Sequence, residues 1–203
     1  MHPNTSITQE EIRINADCES MLTPAEAQMV ETLLLTAQYG KGANILRAGE
    51  VAIRCCFIHK GCVRQYYLVD GEERTTAFFT EGETLSSMLS FVRREPSRHY
   101  LQCVEDSVIL FVTWEAEKKL FAAFPRLESL SRVSTTEQFG EYQENMATFL
   151  FSTPEERYLH LVNTRPELLQ RIPLYQLASY LGVKPESLSR IRRRLLLKEK
   201  VAV

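Results

Sequence analysis

No stretch of these 203 residues is apolar for long enough to cross a bilayer, and the opening "MHPNTSITQEEIRINADCES" is polar where a secretion signal is apolar. A membrane partner is set aside and a cytoplasmic location is expected. Cysteine is sparse and without pattern: Cys18, Cys55, Cys56, Cys62 and Cys103 are odd in number and lack any C-x-x-C spacing. They read as reduced thiols, mostly buried in strand-like surroundings, and the Cys55-Cys56 pair reads better as strand packing than as a strained vicinal disulfide. Histidine is scarcer still, with four copies and no spaced pair. No Ser/His/Asp, Cys/His or metal-ligand constellation is legible, so neither an enzyme nor a metal or cofactor site is expected.

What is present is an ordinary globular composition, 44% hydrophobic and 25% charged, with enough apolar surface for a real core. The length suits one medium domain plus a small appendage. A net charge of -2 conceals an asymmetry: residues 152–203 carry ten Lys or Arg against five Asp or Glu, a balance of +5, while the remainder carries fourteen against twenty-one, or -7. Only the small C-terminal part is suited to a polyanion.

Along the chain, residues 20–36 read as a helix, with Thr23 as its cap, Pro24 in its first turn, and Met29, Leu33 and Thr36 at helical spacing. From 39 to 112 the pattern changes to short strand-like runs divided by turn residues, and Asp70-Gly71 between "VRQYYLV" and "ERTTAFF" is a strong hairpin signal. Many short strands imply a sandwich or barrel, with an open-sheet α+β domain as the alternative. Whether Tyr66, Phe79 and Met88 fill its interior or leave it open is not decided by the sequence. The pattern turns helical near Trp114. Residues 127–150 contain no proline and place Leu127, Leu130, Val133, Tyr142, Met146 and Phe149 on a stripe that either covers the β domain or pairs with a second copy. At "STPEER" a cap, a first-turn proline and two glutamates restart the chain. The expected divisions are 1–120, 121–151 and 152–203.

The sharpest signal is "LASYLGVKPESLSRIRRRL". Leu174, Leu177 and Leu181 share a helical face, Gly182 ends that helix, and Pro185 opens another whose stripe is Leu188, Ile191 and Leu195. Ala178 and Gly182 are small where two helices cross closely. The second helix carries Glu186, Ser187, Ser189, Arg190, Arg193 and Arg194 on its polar face. An arginine fork matches guanine, a carboxylate accepts from cytosine N4, and a helix start carries both into a major groove. Glu186 weakens nonspecific phosphate binding and so makes most sense as a base reader.

On these residues the chain resembles the Crp/Fnr family of bacterial transcription regulators, from about Met21 to Leu197. "PESLSRIRRRL" resembles the family's recognition helix in its Fnr-like form, and "YGKGANILRAGE" and "FIHKGCVRQYYLVDGEERTTAFFTEGE" resemble its cyclic-nucleotide-binding-like β-roll. The resemblance implies an α+β fold: an N-terminal β-roll, a double-stranded jelly-roll-like barrel; a long dimerisation helix; and a C-terminal helix-turn-helix of winged-helix type. With only "LKEKVAV" left, the wing is expected short or absent. It further implies that Glu186, Ser189 and Arg190 read bases, that Lys184, Ser187, Arg193 and Arg194 meet phosphates, and that the 127–150 stripe is the dimer seam. The implied partners are palindromic double-stranded DNA, a second copy, RNA polymerase and a small-molecule effector of unassigned identity.

The same resemblance places effector contacts at Gly82, Glu83, Ser86, Ser87, Ser97 and Arg98. Cyclic-nucleotide binders of the family use a Gly-Glu pair on the ribose and an Arg-Ser pair on the phosphate, and here those positions hold Ser86-Ser87 and Ser97-Arg98. The glutamate is gone and the arginine is displaced by one residue, which on a strand turns it to the other face. Cyclic AMP is therefore not the expected effector. An Fnr-type cluster lacks its cysteine set, Cys18 being alone at the N-terminus, and haem would have only His59, His99 or His160. A competing reading is a ligand- or protein-binding β-barrel module whose basic C-terminal tail docks an acidic partner without reading DNA.

Overall fold

The computed structural model describes residues 22–201, so Cys18 and the expected helix start at Ser20 and Met21 lie outside the described residues. Helix α1 (Pro24–Leu33) begins at a capping box: the Thr23 hydroxyl accepts from Glu26 N, and the Glu26 carboxylate accepts from Thr23 N at 2.8 Å. It stops short of the expected Thr36. Leu35–Tyr39 instead forms β1, in which Thr36 pairs with Leu110 of β8 (Ser107–Thr113). The β-branched side chain suits that ladder better than a last helical turn.

Two four-stranded sheets follow. One has the order β1, β8, β3 (Arg54–Lys60), β6 (Thr84–Leu85); the other has β2 (Asn44–Leu46), β7 (Tyr100–Cys103), β4 (Val63–Val69), β5 (Glu72–Phe79). Their inner faces share one core, with Ala37, Ile58, Leu85, Ile109 and Phe111 from the first sheet against Leu46, Val63, Leu101 and Cys103 from the second. The expected β-type region is thus a sandwich of two sheets. Asp70 (φ 53°) and Gly71 (φ 81°) are both left-handed, as the two-residue turn between β4 and β5 requires.

Cys55, Cys56, Cys62 and Cys103 are buried free thiols. Burial pushes Cys55 and Cys56 up to about 12 and Cys103 up to about 11, so they stay protonated at neutral pH and act as small core hydrophobes. A short helix, α2 (Met88–Arg93), interrupts the strands between β6 and β7, closed by Arg94 at φ 58°. Six residues are too few for a helical periodicity to show in the sequence.

After β8, Thr113 caps α3 (Trp114–Ala123), its hydroxyl accepting from Ala116 N at 3.2 Å; α3 packs on β8 and α1 packs on α3. Helix α4 (Pro125–Phe151) runs 27 residues, or about 40 Å. A second capping box, Thr153 with Glu156, starts α5 (Pro154–Thr164), followed by α6 (Leu168–Arg171), α7 (Leu174–Tyr180) and α8 (Pro185–Val201). The segment "LKEKV" (197–201) continues the helix. The chain divides into two compact units, one of residues up to Tyr67 with Ala77–Thr135, the other of Leu68–Thr76 with the residues from Thr136 onward.

Candidate functional site

In the second unit α7 and α8 are two consecutive helices joined by a short turn and packed on each other. Leu177, Ala178, Leu181, Leu188 and Ile191 are buried together with Tyr158, Leu161, Leu168 and Ile172. Ala178, fully buried, admits the close crossing of the two helices. Gly182 carries the turn at φ 71°, and a β-carbon there would meet Arg157 Nη1 at 3.0 Å, so strain and crowding both select glycine. Arg157 caps the end of α7 by donating to Leu181 O at 2.8 Å, with its guanidinium 4.1 Å from the Phe149 ring centroid.

With Leu188, Ile191 and Leu195 turned inward, helical geometry puts Glu186, Ser189, Arg190 and Arg193 on the opposite face, and all four are exposed. Arg190 donates to Ser187 Oγ at 3.2 Å, which aims its guanidinium along the helix start, and Ser189 Oγ donates to Pro185 O at 3.0 Å. Lys184 is exposed in the turn. Arg194 differs from its neighbours: it forms an ion pair with Glu155 of α5 and is held on the protein. Arg192 is exposed on the flank of the same helix. The sequence does not single it out, although it stands within the "RIRRRL" run. Ser179 of α7 is tied within this unit, donating to Glu73 O at 2.9 Å and accepting from Thr75 N at 3.0 Å.

Along α4 only Leu127 is buried, within the first unit, which makes it a core residue rather than part of an exposed seam; Leu130 is half-buried. Val133, Phe139, Tyr142, Met146 and Phe149 are exposed at 50%, 59%, 59%, 44% and 41%. The last four are spaced three, four and three apart, a coiled-coil seam pattern. Phe139 belongs to that seam yet is absent from the expected stripe, because the apolar spacing in the sequence is regular at the two ends of the helix and interrupted between them.

In the first unit a cavity of about 300 Å³ opens in the β-roll, lined by Tyr39, Cys56, Ser86, Ser87, Ile109 and Phe111 among others. Two of the effector candidates, Ser86 and Ser87, lie on its wall. Ser97 stands behind them: Ser87 Oγ donates to Ser97 Oγ at 3.0 Å, which donates to His99 O at 2.9 Å. Gly82 and Glu83 do not reach the wall. They form the turn before β6, where Gly82 N donates to Ile58 O and the Glu83 carboxylate accepts from Thr80 N at 2.6 Å. Arg98 is exposed and does not line the cavity; it stands in the bend before β7, so strand parity, expected to turn it away, does not apply to it. Tyr66, Phe79 and Met88 do not fill it: Tyr66 stacks on Tyr100 at 4.8 Å and Met88 is 48% exposed. Arg54 does line it, with its guanidinium 4.2 Å from the Phe111 ring centroid. Nothing in the sequence marks that arginine apart from its alternation with Cys56 and Ile58.

Residues 36–124 match the family model of the cyclic nucleotide-binding domain. No curated protein matches the sequence. Among solved structures the chain is similar to CLP of Xanthomonas campestris, a c-di-GMP-responsive global regulator, with a TM-score of 0.69, 18% identity, and coverage of 87% of this chain and 93% of that one. FixK2 of Bradyrhizobium japonicum gives a TM-score of 0.66 at 20% identity over 82% and 86% of the two chains. A protein of Eubacterium rectale described as a transcriptional regulator of the Crp/Fnr family gives 0.66 at 15% identity over 89% and 86%. At such identities the likeness is one of fold: an antiparallel β-sandwich followed by C-terminal helices, as Crp/Fnr-type regulators have.

Proposed function

We propose that the chain is a homodimeric, sequence-specific DNA-binding transcription regulator of the Crp/Fnr type, whose β-roll takes an effector other than cyclic AMP. The observation that carries this reading is the exposed face of α8. Glu186, Ser189 and Arg190 stand together at the helix start, the position from which a recognition helix reaches base edges. Lys184, Ser187, Arg192 and Arg193 lie around them and serve phosphates. Arg194, engaged by Glu155, orients α8 on α5 and meets DNA only by giving up that pair. Two copies joined along α4 place two such helices about one DNA turn, roughly 34 Å, apart on a palindromic site.

Selection of bound sequences from a random double-stranded DNA library, repeated with Glu186→Ala and across a salt series, tests the reading. The wild type should enrich a palindrome, and the variant should relax it at one position per half-site by about 1–3 kcal/mol. Enrichment of no motif, with affinity that merely collapses as salt rises, would leave only nonspecific phosphate binding and defeat the proposal.

A further inference from the structure

Arg54 stands at the cavity wall for reasons that begin with strand parity. Arg54, Cys56 and Ile58 alternate along β3, and their partners on β8 are Thr113, Phe111 and Ile109. Cys56, Phe111 and Ile109 all line the cavity, so Arg54 shares their face. Its guanidinium lies over the Phe111 ring at 4.2 Å, an arrangement that holds the plane of the fork while leaving its donors unspent. Among the described residues no carboxylate forms an ion pair with it. A half-buried cation on the wall of a partly open cavity, with no carboxylate bonded to it and the wall's own carboxylate, Glu50, accepting from Arg47 N, leaves a place for an anion.

We propose that this cavity binds a small organic monocarboxylate, its carboxylate held by Arg54 and its apolar body lying against Leu46, Leu101 and Ile109. Three features narrow the ligand to that class. Tyr39, also on the wall, has its phenol pushed up by burial and stays a neutral donor at physiological pH; the charge of Arg54 acts on it in the opposite sense, which places the two groups within electrostatic reach. Glu50, exposed, also lines the cavity, its carboxylate accepting from Arg47 N at 2.9 Å; with one acidic and one basic group on the wall, a singly charged ligand is favoured over phosphates and other multiply charged ones. The volume, about 300 Å³, is at the lower end of ligand pockets, which run from about 300 to 1,000 Å³. This site deepens the regulator reading by giving its effector a chemical class, and depends on that reading only for the word effector.

The test titrates the full chain with butanoate, hexanoate, octanoate and benzoate, each beside its primary amide, following melting temperature and ligand-observed NMR. At least one acid should stabilise the protein saturably while its amide does not. Arg54→Gln should weaken that acid by about ten-fold or more, and Arg54→Lys, which keeps the charge but not the fork, by an intermediate factor. Arg98→Gln should change it by less than about two-fold, since Arg98 is exposed away from the cavity. Near-UV circular dichroism establishes that each variant is folded; if Arg54→Gln is not, the weakening in Arg54→Lys relative to Arg98→Gln decides. No acid binding, acids and amides binding alike, or a folded Arg54 variant binding as the wild type does would each overturn the assignment. The DNA selection is read separately, so a bound acid without an operator motif would refute the regulator and leave the carboxylate site standing.

Discussion

Glu26 is 4% exposed, yet it is ionised at neutral pH because four donor atoms converge on its carboxylate. Arg126 reaches it from the start of α4 with two nitrogens, at 3.1 Å and 2.5 Å, while Thr23 N and Thr23 Oγ1 donate at 2.8 Å and 2.9 Å. The hydrogen bond from Arg126 does most to hold its carboxyl down, to about 2 from an ordinary 4.5. A folded pKa below the unfolded one means that the carboxylate form favours the fold. Its contribution is complete above about pH 4.5 and is lost as pH falls through about 2. Urea midpoints measured from pH 6 down to about pH 2.5 should therefore fall more steeply for the wild type than for Glu26→Gln, with the curves converging at the acid end. Parallel curves would show that the pair does not tie α1 to the start of α4. The capping half of this arrangement was legible, since Thr23 before Pro24 is a local signal. The ion pair with Arg126, a hundred residues on, was not.

At the scale of elements, the sequence was most readable where a local rule selects one residue. Asp70-Gly71 marked its turn, Gly182 and Pro185 marked the break between α7 and α8, and Pro154 marked the start of α5, its cap left open between Ser152 and Thr153. It was least readable where long-range pairing decides: Leu35 and Thr36 are strand because they pair with β8, and α2 is too short to carry a period. The cavity shows the same division. Ser86 and Ser87 could be placed by resemblance, whereas Arg54 becomes significant only once β3 and β8 are in register. Helix α4 buries only Leu127, and its exposed seam of Phe139, Tyr142, Met146 and Phe149 is the reason to expect a second copy. Met146→Glu places a charge in that seam and should shift sedimentation equilibrium toward monomer at concentrations where the wild type is dimeric. Because Met146 is 44% exposed in the single chain, the melting temperature extrapolated to low concentration should hardly move. An unchanged mass would mean that some other surface, or none, joins the copies.

For the whole molecule, the opposed charges of the two parts of the chain, +5 for residues 152–203 against -7 for the rest, mean that the DNA binding proposed above should rest on residues 152–203 alone. Within that surface, arginines separated by less than one turn should act differently. Arg190 is near the start of α8, aimed by Ser187, and shares its position with Glu186; Arg193 lies almost one turn further along, where a recognition helix leaves the bases for the backbone. Arg190→Ala should cost about 1–3 kcal/mol on the selected operator for each base pair it reads and little on random DNA. Arg193→Ala should weaken both alike and lower the slope of log K against log salt by about one for each phosphate that Arg193 neutralises. Measuring both variants on both DNAs at three or more salt concentrations separates the two roles, because base reading alters the intercept between sequences and phosphate neutralisation alters the slope. Equal losses on operator and random DNA for both variants would mean that α8 binds only as a basic surface, and the palindromic reading would fall with it.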